Sequence, residues 1–221
     1  MLKIENLGVN NIKVCQDDNL YTFTSDSVLL AKFASVKKGD DVADFCAGSG
    51  IVGFYLYALN SEKIKNLTFF EVQKPLFELC QKSIVENGLC DKANAINVKL
   101  QDIDKSYNER FSLIVCNPPY MKVNQGEQKS QEGIAICTSE VMLKLDELCL
   151  SVSRCLKFGG RVSLVHRADR LVDVVYALKK YNIEPKRLQL VSAKDKEPYL
   201  FLLEGVKGGK SGLKILKEIQ N

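Results

Sequence analysis

The sequence offers little that could hold a metal, and it has no long apolar segment. It contains one histidine, and its eight cysteines include no Cys-x-x-Cys pair, the spacing typical of structural zinc sites. No apolar run approaches the roughly 18 residues that cross a bilayer, and charged side chains interrupt residues 1–20. We therefore expect no metal, no membrane span, no secretory signal and a cytoplasmic protein with free thiols.

The length and composition predict one hydrophobic core, and the charge is divided unevenly. The chain has 221 residues, of which 46% are hydrophobic and 26% are charged, enough for one full core. Residues 1–150 have a net charge of −4 and residues 151–221 have +8, which gives the total of +4. A basic last third suits a polyanion bound on one side, although solvated lysines on helix surfaces produce the same count.

Short segments rich in Val, Ile and Phe alternate with amphipathic stretches, which is the pattern of strands separated by helices. We predict an α/β fold: a seven-stranded, mostly parallel sheet with an antiparallel last strand and helices on both faces. The predicted strands are Asp41–Phe45, Asn66–Val72, Asn94–Val98, Phe111–Cys116, Arg161–Val165, Arg187–Val191 and Tyr199–Glu204. The predicted helices are Ile51–Leu59, Lys74–Asn87 with Gly88 as C-cap, Ser139–Leu156 and Asp169–Tyr181. The last two strands should pair as an antiparallel hairpin at the sheet edge.

The two ends of the chain are predicted to add a short extension and a tail. Residues 11–23 have the pattern of a hairpin that turns at Asp17-Asp18-Asn19, and a helix is expected over Asp26–Ala34. We assign residues 1–36 to an N-terminal extension packed on the core and residues 37–206 to the main domain. Residues 207–221 are expected to form a frayed tail.

A glycine-rich turn directly follows the first core strand. Gly48-Ser49-Gly50-Ile51-Val52-Gly53 matches G-x-G-x-x-G, in which small residues let the backbone approach a ligand before a helix begins. Glu71 closes the next strand, where it could hold ribose hydroxyls, so NAD is a contender. The negative charge of Asp44 would attract a cation and repel a pyrophosphate. This favours S-adenosylmethionine, which carries a sulfonium and an ammonium group. The alternative is a turn that binds no ligand, because a close connection from strand to helix can require the same glycines.

Asn117-Pro118-Pro119-Tyr120 follows the apolar fourth core strand and is the most specific motif in the chain. Prolines stiffen a loop and lack N–H groups, so nearby carbonyls become rigid acceptors. An amide or exocyclic base nitrogen is a poor nucleophile. Hydrogen bonds from its N–H groups to the Asn117 side-chain oxygen and the Pro118 carbonyl would favour a tetrahedral nitrogen that can attack a methyl group. Tyr120 offers a face for stacking a base, and a Pro-Pro turn with Tyr120 in the core is the structural alternative.

With these motifs the chain resembles class I S-adenosylmethionine-dependent methyltransferases, specifically the bacterial tRNA1(Val) adenine-37 N6-methyltransferase family. The likeness covers nearly the whole chain. The segments that carry it are residues 23–31, Asp44–Gly50, Glu71–Gln73, Gln101–Ile103, Asn117–Tyr120 and Gly159–Arg167. The resemblance implies a Rossmann-like sheet, S-adenosylmethionine as cofactor and N6-methylation of an adenine in RNA. A tRNA anticodon loop is the natural substrate, because its unpaired bases can splay outward.

The resemblance also implies roles for individual residues. Those expected at the cofactor are Thr24, Asp26, Asp44, Cys46, Gly48, Gly50, Glu71, Val72, Asp102, Ile103 and Asn117. Those expected at the target amine are Asn117, Pro118, Pro119 and Tyr120. Two positions depart from the family pattern. Cys46 replaces a usual glycine, and Thr138-Ser139 stands where Arg-His is expected, so the RNA bound, or its affinity, could differ.

Three residues that follow the fifth core strand, His166, Arg167 and Arg170, are expected to contact RNA. A lone histidine at a strand end is more often a simple hydrogen-bonding group. Other functions stay open: the same loop can grip a glutamine amide, as in enzymes that methylate translation release factors, and a catalytically silent RNA-binding relative would retain the pocket. A nicotinamide dehydrogenase would leave the Asn-Pro-Pro-Tyr motif unexplained. The oligomeric state stays open.

Overall fold

The computed structural model describes residues 2–18, 20, 25–119 and 144–220. The strands are β1 (Leu2–Asn6), β2 (Lys13–Asp17), β3 (Asp40–Phe45), β4 (Ile64–Glu71), β5 (Ala93–Asn97), β6 (Phe111–Cys116), β7 (Leu156–Arg167), β8 (Ile183–Ser192), β9 (Pro198–Lys207), β10 (Lys214–Ile215) and β11 (Ile219–Gln220). The helices are α1 (Ser25–Phe33), α2 (Ile51–Asn60), α3 (Lys74–Glu86), α4 (Leu145–Cys155) and α5 (Leu171–Lys180).

The main sheet has the strand order β10-β8-β9-β7-β6-β3-β4-β5, and β11 also pairs with β8. Strand β9 is antiparallel to both β7 and β8, whereas the other pairs are parallel. The chain leaves β3 towards β4 on one side and later returns to β6 on the other. This reversal opens a crevice beyond the carboxyl ends of β3 and β6, the place where ligands bind in such sheets.

Helices cover both faces of the sheet, as the sequence predicts. Along β6 the side chains alternate: Leu113 and Val115 join the core beneath α1, α2 and α3, while Ile114 and Cys116 join the core beneath α4 and α5. All four are fully buried. A strand that is apolar on both faces must be covered on both, which is why these central strands read as continuous hydrophobic runs.

An N-terminal hairpin forms ahead of the position that the sequence analysis gave it: β1 pairs antiparallel with β2 around a turn at residues 7–12. Asn10 and Asn11 take φ values of 49° and 56° there, a left-handed conformation that asparagine tolerates better than most residues. The chain also turns after β2, where the Leu20 backbone N–H donates to the Asp17 carbonyl at 2.9 Å, and the strand expected to follow that turn lies mostly outside the described residues. Strand β2 then rests on α3 through a hydrogen bond from the Cys15 backbone N–H to the Ser83 hydroxyl, 2.8 Å long.

The C-terminal residues join the sheet, which corrects the expectation of a frayed tail. Strands β10 and β11 pair in parallel with β8 and raise the main sheet from the seven predicted strands to nine. The backbone N–H of Leu216 donates to the Leu188 carbonyl at 2.8 Å between them. These additions cover what would otherwise be an open edge of unpaired backbone groups along β8.

Two strands begin well before their predicted starts: β7 begins at Leu156 and not at Arg161, and β8 begins at Ile183 and not at Arg187. The other described element ends differ by three residues or fewer. Helix α3 ends at Glu86, and Gly88 follows with φ of 63°, the left-handed position expected of a C-cap glycine. Helix α4 ends one residue before the predicted Leu156, because β7 begins there. Its predicted start at Ser139 lies outside the described residues. None of the helices described is both long and apolar enough to cross a membrane.

Candidate active site

The turn after β3 is built from left-handed residues. Gly48 and Gly50 have φ values of 58° and 90°. A side chain at Gly50 would lie 2.6 Å from the Phe54 ring and 2.9 Å from the Cys80 sulfur, whereas one at Gly48 would meet nothing within 4 Å. The backbone is therefore packed tightly on its inner side and open at Gly48. Cys46 also has a positive φ, 58°, which explains why this position usually carries glycine.

Asp44, at the end of β3, is buried, and only one of its two carboxylate oxygens accepts a hydrogen bond from the described residues. Its Oδ2 accepts the backbone N–H of Gly53 at 2.8 Å, whereas its buried Oδ1 receives no hydrogen bond in the described part of the chain. The pKa of the carboxyl is raised to about 8, mainly by burial; the Gly53 N–H opposes the rise, and the nearby Glu71 charge adds to it. A cation placed beside Oδ1 would stabilise the ionised form.

Glu71, at the end of β4, accepts hydrogen bonds from the turn after β3 and from the turn after β4. Its Oε2 accepts the backbone N–H of Gly48 at 2.7 Å, and its Oε1 accepts that of Gln73 at 2.8 Å. Burial raises the pKa of this carboxyl, and the backbone hydrogen bonds from Gln73, Gly48 and Val72 oppose the rise. Each carboxylate oxygen has a second lone pair, so the group can still accept from a hydroxyl. The Asn97 amide braces this turn by donating to the Glu71 and Val72 carbonyls at 2.8 and 2.9 Å.

Three further residues expected at the cofactor, Val72, Asp102 and Ile103, lie at the same edge of the sheet. Asp102 ends a 3-10 turn at Leu100–Asp102, beyond β5, and its side chain is exposed. Ile103 follows and is buried in the core cluster that contains Phe45, and Val72 is half-buried. Asp102 and Glu71 lie at the same edge of the sheet, but no hydrogen bond joins their side chains within the described residues.

The loop after β6 contacts the N-terminal extension. Asn117 is half-buried and Pro118 is buried. The Asn117 side-chain nitrogen donates to the hydroxyl of Ser27 on α1 at 3.1 Å. Since Phe45 of β3 pairs with Cys116 of β6, the glycine turn and the Asn117 loop begin side by side. Asp26 lies in the first turn of α1, one residue before Ser27.

His166 is buried at the end of β7, a position that does not favour the contact with RNA expected of it. Its ring is 2% exposed and stacks on Phe201 with centroids 6.2 Å apart. Its Nδ1 accepts the backbone N–H of Arg167 at 2.9 Å. Burial, followed by the charges of Arg170 and Arg167, lowers the pKa to about 4 despite Asp169 and Asp173. The neutral ring is a buried hydrogen-bond acceptor at the end of β7.

The two arginines of that group form local ion pairs. Arg167 pairs with Asp169 at 2.8 Å and Arg170 with Asp173 at 2.8 Å. The Arg167 side chain is 45% exposed and that of Arg170 is 13% exposed. The positive charge at this edge is therefore partly neutralised by neighbouring acids.

Some expected site residues lie outside the described residues, namely Thr24, Tyr120 and the departure at Thr138-Ser139. Ser27 is the site residue that the sequence analysis missed. A serine inside an apolar helix carries no sequence signal of its own, and only the packing of α1 against the β6 loop reveals it. Within the described ranges no group of three or more His, Cys, Asp and Glu side chains could hold a metal.

Comparison with known proteins gives the family. A family model described as the methyltransferase small domain matches residues 22–169, more than half of the chain. The chain belongs to the methyltransferase small-domain family. This confirms the methyltransferase resemblance read from the Asp44 turn and the Asn117 motif.

Curated relatives and solved structures agree with this assignment. The tRNA1(Val) (adenine(37)-N6)-methyltransferase of Shewanella putrefaciens is 27% identical over 163 residues, 73% of this chain and 66% of the relative. That of Shewanella frigidimarina is 25% identical over 178 residues, 78% of this chain and 70% of the relative. The chain thus spans just under two thirds of the first relative's length.

The solved structures establish the fold. A predicted O-methyltransferase from Agrobacterium tumefaciens superposes with a TM-score of 0.69 at 17% identity, over 88% of this chain and 86% of that one. The tRNA m1G37 methyltransferase of M. jannaschii has a TM-score of 0.64 at 16% identity, over 95% of this chain and 55% of the other. The Rossmann-like methyltransferase sheet expected from the sequence is confirmed.

Proposed function

We propose that this protein is an S-adenosylmethionine-dependent methyltransferase that modifies N6 of an adenine in tRNA. The observation that carries the proposal is the pairing of Phe45 with Cys116, which starts the glycine turn and the Asn117 loop on neighbouring strands at one edge. Family membership supports the reaction class. The names of the curated relatives support tRNA adenine as the substrate.

The residues around the turn fit this cofactor. Asp44 presents a buried carboxylate oxygen to which no described group donates, and a sulfonium or ammonium cation is a suitable partner for it. Gly48 leaves open space beside the backbone, and Glu71 retains acceptor capacity for ribose hydroxyls. Asp102, with Val72 and Ile103, would accommodate the adenine. When bound, the cofactor supplies an activated methyl group.

The Asn117 loop would hold the target amine. The Asn117 side-chain oxygen and the Pro118 carbonyl accept its two N–H groups, which favours a tetrahedral nitrogen with an available lone pair. Proline at positions 118 and 119 removes two backbone donors that would compete for these acceptors. No strong general base is required, because the methylated amine can release its proton to water after transfer. Tyr120 would stack the base.

The experiment that tests this proposal measures transfer of labelled methyl groups to bulk tRNA together with cofactor affinity by calorimetry. Asn117→Ala should abolish transfer and leave the cofactor Kd within about twofold, because Asn117 is only one of the eleven residues expected at the cofactor, whereas its side-chain oxygen is one of the two acceptors expected for the target amine. The matched control is Asn94→Ala, an exposed asparagine on β5, which should change neither quantity. Loss of cofactor binding with transfer intact would overturn the assigned role.

The substrate class is tested in the same assay. Mass spectrometry of the tRNA nucleosides should detect N6-methyladenosine as the product. Transfer to a translation release factor and not to tRNA would favour glutamine methylation, since a glutamine amide offers the same two N–H groups to Asn117 and Pro118. Tight cofactor binding without transfer to any RNA or protein would indicate a silent RNA-binding relative.

A further inference from the structure

The C-terminal segment places a row of lysines along the outer edge of the main sheet. Strands β10 and β11 of this segment run parallel to β8. Leu216 and Ile219 pack against the core cluster beneath α1, α2 and α3, and the side chains between them point outward. The row, here called the lysine edge, consists of Lys186, Lys210, Lys214 and Lys217. Lys186 is half-buried and the other three are exposed.

Hydrogen bonds fix the backbone that carries these lysines. The Lys186 Nζ donates to the Lys210 carbonyl at 3.0 Å and so holds the loop before β10 against β8. The Gln189 amide donates to the Lys217 carbonyl at 2.8 Å. An ammonium group has three N–H donors, so Lys186 can still donate two hydrogen bonds. The lysine edge is therefore mounted on ordered strands and not on a frayed tail.

The lysine edge differs from most other basic residues of the last third of the chain, because acids do not neutralise it. Glu184 pairs with Lys179 at 3.0 Å, and the buried Glu204 pairs with Arg187 at 3.2 Å. The acid within residues 207–220 is Glu218, which is exposed. In the described part of the chain no carboxylate forms an ion pair with the four lysines. Even when Glu218 is counted, three positive charges stay uncompensated.

The row leads towards the edge of the sheet where the glycine turn and the Asn117 loop begin. Strands β6, β7 and β8 all end at that edge, because β7 is parallel to β6 and β9 is antiparallel to both β7 and β8. Lys214 pairs with Arg187, and Gln220 pairs with Ser192 at the end of β8. Lys214 thus lies about five residues of strand, or about 16 Å, before that edge.

The lysine edge is nevertheless far from the residues that would hold the target base. Four strand spacings, about 19 Å in total, separate β10 from β6 in the strand order. Together with the rise along β8, this places Lys214 about 25 Å from the start of the Asn117 loop. A ligand that reaches both places must extend about 25 Å from its reacting group. A single nucleotide turned out of its stack does not do so.

We propose that the lysine edge binds backbone phosphates of the tRNA substrate, in a part of the RNA that lies away from the methylated base. The inference rests on the proposed tRNA methyltransferase function. Ammonium groups without acidic partners attract a polyanion, and binding releases the counterions of the phosphates. This contact carries no base specificity. It would hold the body of the tRNA along β8 while the reacting base reaches Asn117.

Lysines beside an edge strand have a second use, which the experiment must separate from RNA binding. Charged side chains there prevent the edge from pairing with another copy of the chain. Replacement by glutamate keeps the edge charged but repels phosphate. A role in edge protection alone therefore predicts normal tRNA binding by a glutamate variant, whereas phosphate binding predicts its loss.

The main experiment combines Lys210→Glu, Lys214→Glu and Lys217→Glu in one variant. We expect Kd and KM for tRNA to rise at least tenfold in low salt. The slope of log K against log salt should fall by about 2–3, since each phosphate contact in a duplex contributes about 0.9. At saturating tRNA, kcat should stay within about twofold, and so should the Kd for S-adenosylmethionine, because neither the loop nor the glycine turn has changed.

The matched control makes the same change in charge on the other side of the sheet. It combines Lys65→Glu, Lys82→Glu and Lys92→Glu, three exposed positions on β4, on α3 and just before β5. We expect this variant to keep most of the wild-type salt slope and KM. An equal loss in both variants would show that net charge alone drives binding, and the proposal would be overturned.

A neutral variant checks the folding of the segment. Glutamine at positions 210, 214 and 217 should lower the salt slope as much as glutamate does, with a smaller rise in Kd, at a melting temperature close to that of the wild type. Wild-type protein that transfers no methyl group to tRNA would overturn the proposed function. An active wild type whose glutamate variant keeps the wild-type KM and salt slope would overturn only the role of the lysine edge.

Discussion

At the scale of single residues, Asp44 combines burial with incomplete hydrogen bonding. Its pKa in the folded protein, about 8, lies above the ordinary value of 3.8. Between these values the folded protein binds a proton that the unfolded chain has lost, so the free energy of unfolding falls as the pH rises through this window. The raised pKa of Glu71 acts in the same direction. Binding of a cationic cofactor should lower the pKa of Asp44 and release its proton.

Replacing Asp44 by Asn should therefore separate stability from binding. At pH 8 the ligand-free Asp44→Asn protein should be more stable than the wild type by about 1–3 kcal/mol, because a buried, half-satisfied carboxylate has been removed. Its affinity for S-adenosylmethionine should fall at least tenfold. Denaturant unfolding from pH 5 to 8 and calorimetry measure the two effects. Asp91→Asn, at an exposed position, is the control. If Asp44→Asn destabilised the protein and left its affinity for S-adenosylmethionine unchanged, the role assigned to Asp44 would be wrong.

His166 can be measured without interference, because it is the only histidine in the chain. Its ring resonances should titrate with a pKa of about 4 in a pH series followed by NMR. Because this value lies below the ordinary 6.5, the protein should lose stability as the pH falls through that window. Addition of tRNA should leave the titration unchanged. A pKa near 6.5 would show that the ring is not buried, and a shift caused by tRNA would show that the ring reaches the RNA.

At the scale of elements, two glycines of the turn after β3, Gly48 and Gly50, both have a positive φ but have different surroundings. Gly50 lies against Phe54 and Cys80, so its missing side chain allows close packing where α2 begins. Gly48 lies beside open space, so its missing side chain leaves room for a ligand. The motif alone does not distinguish these uses, because both positions appear as glycine in G-x-G-x-x-G.

Three alanine substitutions distinguish these uses. Gly48→Ala and Gly88→Ala have similar φ values, 58° and 63°, and open surroundings, so each should cost about 1–2 kcal/mol of stability. Gly48→Ala alone should weaken cofactor binding, by tenfold or more, since Gly88 lies at the end of α3. Gly50→Ala should lose an additional 1–3 kcal/mol, roughly, from overpacking. Chemical denaturation and calorimetry provide the data, and equal cofactor affinities for the Gly48 and Gly88 variants would refute the assignment.

At the scale of the whole molecule, the basic last third is less free to bind phosphate than its count suggests. Eight of its basic residues form ion pairs with acids, namely Lys157, Arg161, Arg167, Arg170, Lys179, Lys180, Arg187 and Lys207. Lys214 pairs with β8 through its backbone and keeps an exposed side chain. The net charge of residues 151–221 therefore favours the approach of a polyanion without defining a contact surface.

The salt dependence of tRNA binding tests which edge faces the RNA. If Arg167 contacts a phosphate, Arg167→Ala should reduce the slope of log K against log salt by about 0.7, the contribution of one single-strand phosphate contact. Lys63→Ala removes an exposed charge next to the amino end of β4, at the opposite edge, and should leave the slope unchanged. Equal slopes for both variants would place the RNA elsewhere.

The sequence by itself determined the order of the seven predicted sheet strands and of the helices between them, and the positions of the glycine turn and the Asn-Pro-Pro-Tyr loop. These features depend on local periodicity, backbone conformation and residue type, which are properties of neighbouring positions. It missed the pairing of β1 with β2, because Asn10-Asn11 and Asp17-Asp18-Asn19 are equally good turn sequences and only the tertiary structure shows that the first of them closes a hairpin.

Only the tertiary structure decided the properties that depend on residues far apart in the chain. The raised pKa of Asp44 and the lowered pKa of His166 arise from burial, which a sequence position does not specify. The C-terminal strands form because β8 offers an edge to pair with. Ser27 meets Asn117 because α1 packs over the carboxyl end of β6, and a hydrogen bond across 90 positions leaves no local pattern.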